Sequence, residues 1–216
     1  MLKADLHLHT NASPDSMITP EALVKCCLKK AINCIAVTDH NTIDGVEAVR
    51  RIAPFKVIAA EEVKTSEGEI TGYFLREAIP PLLSPEETVR RIKEQGGLVG
   101  VPHPFDRLRR EPLRDAALMR ILSQIDIVEG LNARVTVARH NRKAVAFALE
   151  HGLACSAGSD AHSLLEVGTA YVEMEDFDSP QQFLESLREG TLAGGRSVPL
   201  VHLISTWAKV RRRFLR

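Results

Sequence analysis

Two histidines one residue apart stand at the end of the first apolar run of the chain, in Asp5-Leu6-His7-Leu8-His9-Thr10. Side chains of a strand alternate with period two, so both imidazoles leave the backbone on the same side. Neutral imidazoles converging at a strand end are well explained when they share a metal ion. Two core histidines that happen to alternate make the plainer reading, and it is the poorer one: Asp5 precedes them on what should be the same face. The same residue types recur after later apolar runs. Asp15 follows in Ser13-Pro14-Asp15-Ser16, His40 in Thr38-Asp39-His40, and Glu61-Glu62 close Val57-Ile58-Ala59-Ala60. His103 lies between Pro102 and Pro104, and Asp160-Ala161-His162 follow Ala154–Gly158.

Each group has a local alternative. Asp15 sits in a turn-rich loop where aspartate is common for local reasons, but it stands close to the histidine pair. Of Asp39 and His40, the imidazole is the expected ligand and the carboxylate the group that orients the loop. Glu61 and Glu62 are adjacent in an extended run and point to opposite faces, so at most one enters a pocket, where it is suited to bridge two cations. The flanking prolines fix the backbone of His103, yet its ring still needs a partner. His140, His151 and His202 fall on helices or in the tail and read as ordinary. The remaining set holds more imidazoles and carboxylates than one tetrahedral zinc takes. Mixed nitrogen and oxygen ligands without thiolate suit Zn, Mn or Fe, and the surplus points to two or three divalent ions sharing carboxylates. Clustered ions of this kind stabilise charge on attacking and leaving oxygens and deliver hydroxide at neutral pH, so hydrolysis is the natural chemistry.

Residues this far apart in sequence need a scaffold that brings strand ends together. Apolar runs predict strands at Lys3–His7, Cys34–Thr38, Lys56–Glu61, Glu69–Leu75, Leu98–Val101, Ile125–Leu131, Ala154–Gly158 and Thr169–Glu173. Between them, Thr19-Pro20-Glu21, Ser84-Pro85-Glu86-Glu87 and Ser179-Pro180-Gln181-Gln182 each open a helix with a capping hydroxyl and a proline in the first turn. Further helices are expected over Thr42–Ile52, Leu113–Ser123 and Thr136–Glu150. Repeated strand–helix units predict a parallel sheet, and about seven of them favour an α/β barrel over an open sheet. His7, His9, His40, Glu62, His103, Asp160 and His162 all fall at or just past the C-terminal end of an expected strand. In a barrel that is the one face where many strands converge.

Composition adds bounds. At 216 residues, 44% hydrophobic and 26% charged, the chain suits one barrel-sized globular unit. Lys+Arg and Asp+Glu balance at 28 each, so overall charge gives no support for a polyanion binder. Cys26, Cys27, Cys34 and Cys155 show no paired spacing, which suits a reducing compartment. No secretory pattern opens the chain, and no apolar run approaches the roughly 20 residues of a membrane span. A cytoplasmic protein is expected, with the barrel over 1–199. Residues 200–216 differ: Trp207, Lys209, Arg211-Arg212-Arg213 and Arg216 lie among apolar residues. A terminal helix on the barrel floor with a basic outer face is expected there, with contact to a membrane surface or nucleic acid as the alternative.

His-x-His-Thr, Thr-Asp-His, the isolated Pro-His-Pro and Ser-Asp-Ala-His, in this order, resemble the motifs of the PHP (polymerase and histidinol phosphatase) superfamily, from Asp5 to about Arg196. The resemblance implies a distorted (β/α)7 TIM-like barrel with a two- or three-metal centre at the strand C-termini, hydrolysing phosphoesters through a metal-bound hydroxide. It implies one ion held by His7, His9, Glu62 and Asp160, and a second by Asp15, His40 and His162. A third would use Glu62 as a bridge with His103. The family frame thereby selects Glu62 over Glu61. Asp160 and His162 count among the catalytic residues in this frame. Asp15 stands where some members carry histidine, which is closer in look to the nucleotide phosphatase and 5′-3′ exonuclease branch. Glu129-Gly130-Leu131-Asn132-Ala133-Arg134 also resembles that branch and makes Arg134 the candidate grip on substrate phosphate. Members with a full third site carry a histidine in the strand after the glutamate; this chain offers Glu69 as a substitute oxygen ligand. The segment from Phe105 to Gln124 is short where a pocket-forming insertion is usual, implying an open site. The implied substrate is a small phosphoester or a short oligonucleotide. A histidinol-phosphate-type phosphatase, a hydrolase of non-phosphate bonds such as amides, and a non-catalytic regulatory barrel are the rival readings.

Overall fold

The computed structural model describes residues 1–108, 112–195 and 197. The basic tail expected at 200–216 lies outside the described residues. Strands and helices follow in the order β1 (Leu2–Leu8), α1 (Pro20–Lys29), β2 (Cys34–Val37), α2 (Asp44–Arg50), β3 (Lys56–Thr65), β4 (Gly68–Tyr73), α3 (Pro85–Glu94) and β5 (Leu98–Val101). The second half adds α4 (Asp115–Ile121), β6 (Ile127–Asn132), α5 (Ala138–Glu150), β7 (Ala154–Gly158), β8 (Ala170–Met174), α6 (Pro180–Glu189) and β9 (Thr191–Gly194). Hydroxyls of Thr19, Ser84 and Ser179 cap α1, α3 and α6 by accepting from the N–H groups of Ala22, Glu87 and Gln182. In each case a proline occupies the first turn, where its missing N–H costs nothing.

One sheet holds all the strands in the order β7-β6-β5-β4-β3-β2-β1-β8-β9. It curls until β1 meets the segment after β7: Leu8 bridges Ala161, the Asp160 N–H donates to His7 O at 2.7 Å, and the His9 N–H donates to Ala161 O at 3.0 Å. A Cβ at residue 158 would lie 2.3 Å from the His7 Cβ, so only glycine admits this approach. The free edge of β1 is thus divided. Leu2, Lys3 and Ala4 pair with β8, while its far end closes a ring of seven strands, β1 to β7, as a distorted TIM-like barrel.

The sheet is not wholly parallel. β1–β2, β2–β3, β5–β6 and β6–β7 are parallel, whereas β4 runs antiparallel to both neighbours, as do β8 to β1 and β9 to β8. The cause at β4 is local: only Ser66 and Glu67 separate it from β3, and so short a link makes a hairpin, never a parallel crossover.

Leu6, Ala36, Ile58, Ala60, Tyr73, Leu98 and Ile127 fill the barrel and are joined by Phe183 and Leu187 of α6. Leu8, by contrast, packs with Leu23, Ile35 and Val37 in the layer under α1 and α2. Leu6 and Leu8 therefore lie on opposite faces, because the β1–β2 register shifts between Asp5 and Leu8. The irregularity re-aims His7 and His9 into the barrel mouth. It also separates Asp5 from them, correcting the expectation that the three share a face. The Asp5 carboxylate instead accepts from the N–H and hydroxyl of Ser159 and from the N–H of Gly168, fastening both ends of the loop after β7. Burial pushes the Asp5 carboxyl up to about 6 despite these bonds. A similar shift in β6, between Glu129 and Leu131, falls beside the same cluster.

Candidate metal centre

His7 and His9 enter the mouth from the end of β1, Asp15 from the following loop, and His40 from the residues just past β2. Glu62 comes from β3, Glu69 from β4, His103 from the turn after β5, and Asp160 and His162 from the loop after β7. All are buried except His40, whose side chain is 20% exposed. Glu62 lies at the centre. Its Oε2 is 3.4 Å from His7 Nε2, 3.5 Å from His9 Nε2 and 3.2 Å from His40 Nδ1, and its Oε1 is 3.1 Å from His103 Nε2. Asp160 Oδ1 approaches His9 Nε2 at 3.6 Å and His7 Nε2 at 3.9 Å. Asp15 Oδ2 lies 3.5 Å from His40 Nε2 and 3.3 Å from His162 Nε2. Glu69 Oε2 is 3.7 Å from His103 Nε2. The structure thus brings together all nine residues that the motifs offered as ligands.

The outer nitrogens of the histidine pair are tied down. His7 Nδ1 donates to Glu129 Oε1 at 3.0 Å. Ser13 Oγ donates to Asp39 Oδ1 at 2.6 Å, so it is an acceptor for His9 Nδ1 at 3.2 Å. With both Nδ1 atoms donating outward, neutral rings would turn two Nε2 lone pairs on each other at 3.2 Å. Among the surrounding carboxylates that contact favours a cation, either a proton on one ring or a metal ion between them. This donor set fits a divalent metal.

The electrostatics point the same way. Burial works against a charged imidazole at His7, but the carboxylates of Glu62, Glu129 and Asp160 outweigh it and hold the ring well above the usual histidine range. Burial and the neighbouring His162 and His40 hold His9 well below it. At His40 the pull of Asp15, Glu62 and Glu69 overcomes burial and raises the ring to about 9. Glu62 and Asp15 are held well below the carboxylate range, burial notwithstanding, by the surrounding imidazoles. The pocket is built to hold positive charge.

Three groupings have ligand atoms close enough to share an ion: His7, His9 and Glu62; His9, His40 and His162; and His40, Glu62 and Glu69. Backbone geometry supports the arrangement. Asn41, His103 and Asp160 all have positive φ, of 56°, 30° and 52°. Such non-glycine conformations cost roughly 1 kcal/mol or more each and persist only where surrounding contacts enforce them. His103 is held by its N–H, which donates to Glu129 Oε2 at 2.8 Å.

Glu129 was not among the expected site residues, yet it orients both His7 and His103. Asn132 completes the network, its side-chain amide donating to Glu129 Oε2 and to Asp160 Oδ2, each at 3.0 Å. A carboxylate within the apolar run Ile125–Leu131 was the available sequence clue. Asp39 accepts from the N–H and hydroxyl of Thr10 as well as from Ser13, bracing the loop that carries Asp15. Glu61 points away from the cluster, accepting the Ile79 N–H at 2.7 Å, and burial pushes its carboxyl up to about 7. Arg134 is buried rather than lying on the surface. Its Nε donates to Glu166 Oε1 at 2.7 Å, and Glu166 Oε2 accepts the His162 N–H at 3.1 Å.

Sequence comparison matches residues 5–95 to the PHP domain and 138–192 to the PHP-associated family. An uncharacterized protein of Methanocaldococcus jannaschii, MJ0417, is 35% identical over 197 residues, covering 87% of this chain and 79% of the relative. The chain belongs to the PHP family. A 5′-3′ exoribonuclease, Rnm of Salmonella typhimurium, shares 44% identity over a stretch of 46 residues, 21% of this chain and 15% of that protein. Among solved structures, a two-domain protein from Bacteroides vulgatus containing a predicted PHP-like metal-dependent phosphoesterase superposes with a TM-score of 0.73 at 19% identity. The alignment covers 90% of this chain and 65% of that protein, so this PHP chain spans about two-thirds of the Bacteroides one. Endonuclease Q, solved with a 27-mer duplex substrate carrying an abasic lesion, superposes with a TM-score of 0.62 at 16% identity, covering 92% of this chain and 60% of the endonuclease. Both likenesses are of fold. No helix among the described residues is long and apolar enough to cross a membrane.

Proposed function

We propose that this PHP chain is a metal-dependent phosphoesterase whose centre takes two or three divalent ions, Zn, Mn or Fe, and whose substrate is a nucleotide or short oligonucleotide. The reading is carried by one observation: imidazole nitrogens and carboxylates converge on Glu62 in a buried pocket that favours positive charge. His7, His9, Glu62 and Asp160 would hold one ion, Asp15, His40 and His162 a second, and Glu62, His103 and Glu69 a third. Such ions activate water and neutralise developing charge in phosphoryl transfer.

The chain's own groups do the rest. Glu129, Ser13 and Asn132 keep the ligand rings and the Asp160 carboxylate in place. Glu166 holds the Arg134 guanidinium against the His162 loop, so that a phosphoryl oxygen reaching this side meets a fixed cation. A decayed regulatory barrel fits poorly, because each of the eight family ligand positions carries a side chain able to coordinate and all converge.

The test pairs metal analysis of the purified protein with phosphate release in added Mn or Zn. Substrates are nucleotide 3′,5′-bisphosphates, 5′-phosphorylated oligonucleotides and histidinol phosphate. At least two ions per chain and turnover of the nucleotides are expected. Turnover of histidinol phosphate alone would replace the substrate class, and no metal with no activity after reconstitution would overturn the reading.

A further inference from the structure

The chain is neutral overall, but not locally. Between Glu129 and Glu150 it contains no acidic residue, while Arg134, Arg139, Arg142 and Lys143 fall in that interval. Arg139, Arg142 and Lys143 are exposed at spacings of three and four on α5, which places them on one face of the helix. None of the three forms an ion pair with a carboxylate among the described residues.

The position of this face matters as much as its charge. α5 follows β6, so its first turns stand at the end of the barrel that holds the metal cluster. Asn141, within the basic stretch, donates from its side-chain amide to Asn132 O at 3.0 Å. Asn132 in turn holds the Asp160 carboxylate. On the other flank, Lys143 Nζ lies 4.1 Å from the Phe105 ring centroid, and His140 Nδ1 lies 3.4 Å from Asp106 Oδ1, both in the turn after His103. α5 therefore sits against the end of β6, between the strand ends that lead to His103 and Asp160, and carries its basic face on the solvent side.

We infer that Arg139, Arg142 and Lys143 form a phosphate track for a single-stranded oligonucleotide, holding backbone phosphates beyond the one being hydrolysed. The inference rests on the phosphoesterase reading for the identity of the reacting group, and on charge complementarity for the track. A polyanion leaving the mouth along α5 meets three cations before the one carboxylate of that helix face, Glu150 at its far end. An oligonucleotide brings further backbone phosphates to these cations that a mononucleotide lacks. The track thus favours oligonucleotides over mononucleotides without any contact to a base.

The experiment compares the full-length protein with Arg139→Gln/Arg142→Gln/Lys143→Gln. Lys25→Gln/Lys29→Gln/Arg51→Gln, which removes equal charge from the C-terminal half of α1 and the C-terminal end of α2, away from the mouth, is the control. Two readouts are taken on each. One is kcat/KM for a 5′-phosphorylated octanucleotide relative to a nucleotide 3′,5′-bisphosphate. The other is anisotropy of a fluorescent single-stranded octanucleotide, with chelator present so that no turnover occurs, from 50 to 200 mM salt. The track variant should lower the octanucleotide-to-mononucleotide ratio about tenfold or more. It should also flatten the slope of log K against log salt by roughly 0.7 for each phosphate no longer neutralised. The control should do neither. Equal ratios and equal salt slopes in all three proteins would overturn the track while leaving the phosphoesterase reading intact. Salt-dependent binding lost only in the track variant, with no phosphoester turned over by any protein, would keep the track and remove that reading.

Discussion

The two sides of the metal cluster are built differently. On one side His7, His9, Glu62 and Asp160 are almost wholly buried. There His7 is braced by Glu129, His9 by Ser13 with Asp39 behind it, and Asp160 by Asn132. On the other side Asp15, His40, His162 and Glu69 come largely from loops and from the antiparallel β4. His40 presents a partly exposed ring whose two nitrogens each face a carboxylate. The braced side is held by side chains outside the ligand set, whereas the loop-borne side is held largely by contacts among the ligands, with Asp15 facing His40 and His162 and His162 Nδ1 donating to the Asp160 carbonyl. Preorganised ligands bind more tightly because less order remains to be imposed on binding. The braced side should therefore hold its ion the more firmly.

The severest test removes the residue both sides share. Glu62→Gln should abolish more than one ion's worth of binding and lower kcat/KM by about a thousandfold or more, on the order of 4 kcal/mol. Metal stoichiometry by mass spectrometry and phosphate release would measure it, and an enzyme with full metal content would contradict the central role given to Glu62. Glu129→Gln strikes the brace without touching a ligand. It should weaken the tightest ion by roughly 10- to 100-fold, read by competition with a chromophoric chelator; an effect confined to the weakest ion would reverse the comparison. Glu69→Gln should have a smaller consequence, releasing the most weakly held ion while the tightest constant stays within about threefold.

The smallest effect lies just outside the cluster. Burial raises the Glu61 carboxyl to about 7 in the folded chain, above the ordinary 4.5. The fold therefore favours the protonated form. That stability is full below about pH 4.5 and is lost as pH rises through 7. Glu61→Gln keeps an acceptor for the Ile79 N–H and should shrink the fall in unfolding free energy between pH 5 and 8 by roughly 1–3 kcal/mol. Urea titrations of the metal-free protein at both pH values would measure this, and parallel curves for the two proteins would refute it.

Much of the scaffold was legible from local chemistry. β5 and β7 begin and end where their apolar runs do, and the three Ser/Thr-Pro caps open helices as such caps should. What local reading missed depends on contacts made across the sheet. The antiparallel course of β4 follows from the brevity of the Ser66-Glu67 turn. The short β9, outside the ring, pairs with β8 alone among the described strands and carries little burial to mark it. At the site, strand-end imidazoles stand out because they are costly without partners. The groups that orient them do not stand out: a serine in a turn or an asparagine at a strand end is ordinary until its partner is known. Asp5 was misplaced for a related reason, since strict alternation cannot foresee a shift of register. Arg134 reads from sequence as a candidate grip on phosphate, and only the fold reveals Glu166 holding it.

The seam of the barrel has a consequence for how the protein is made. His7 and His9 stand on one side of it, Asp160 and His162 on the other, and Gly158 lets the two sides touch. A chain emerging from the ribosome finishes the first half of its metal pocket almost at once. The second half comes only after seven strands have been synthesised. Contacts between such distant residues form late and slowly. Completion of the ligand set by Asp160 and His162 is thereby coupled to closure of the ring, and truncated or unfinished chains carry half a pocket with no second half to close it.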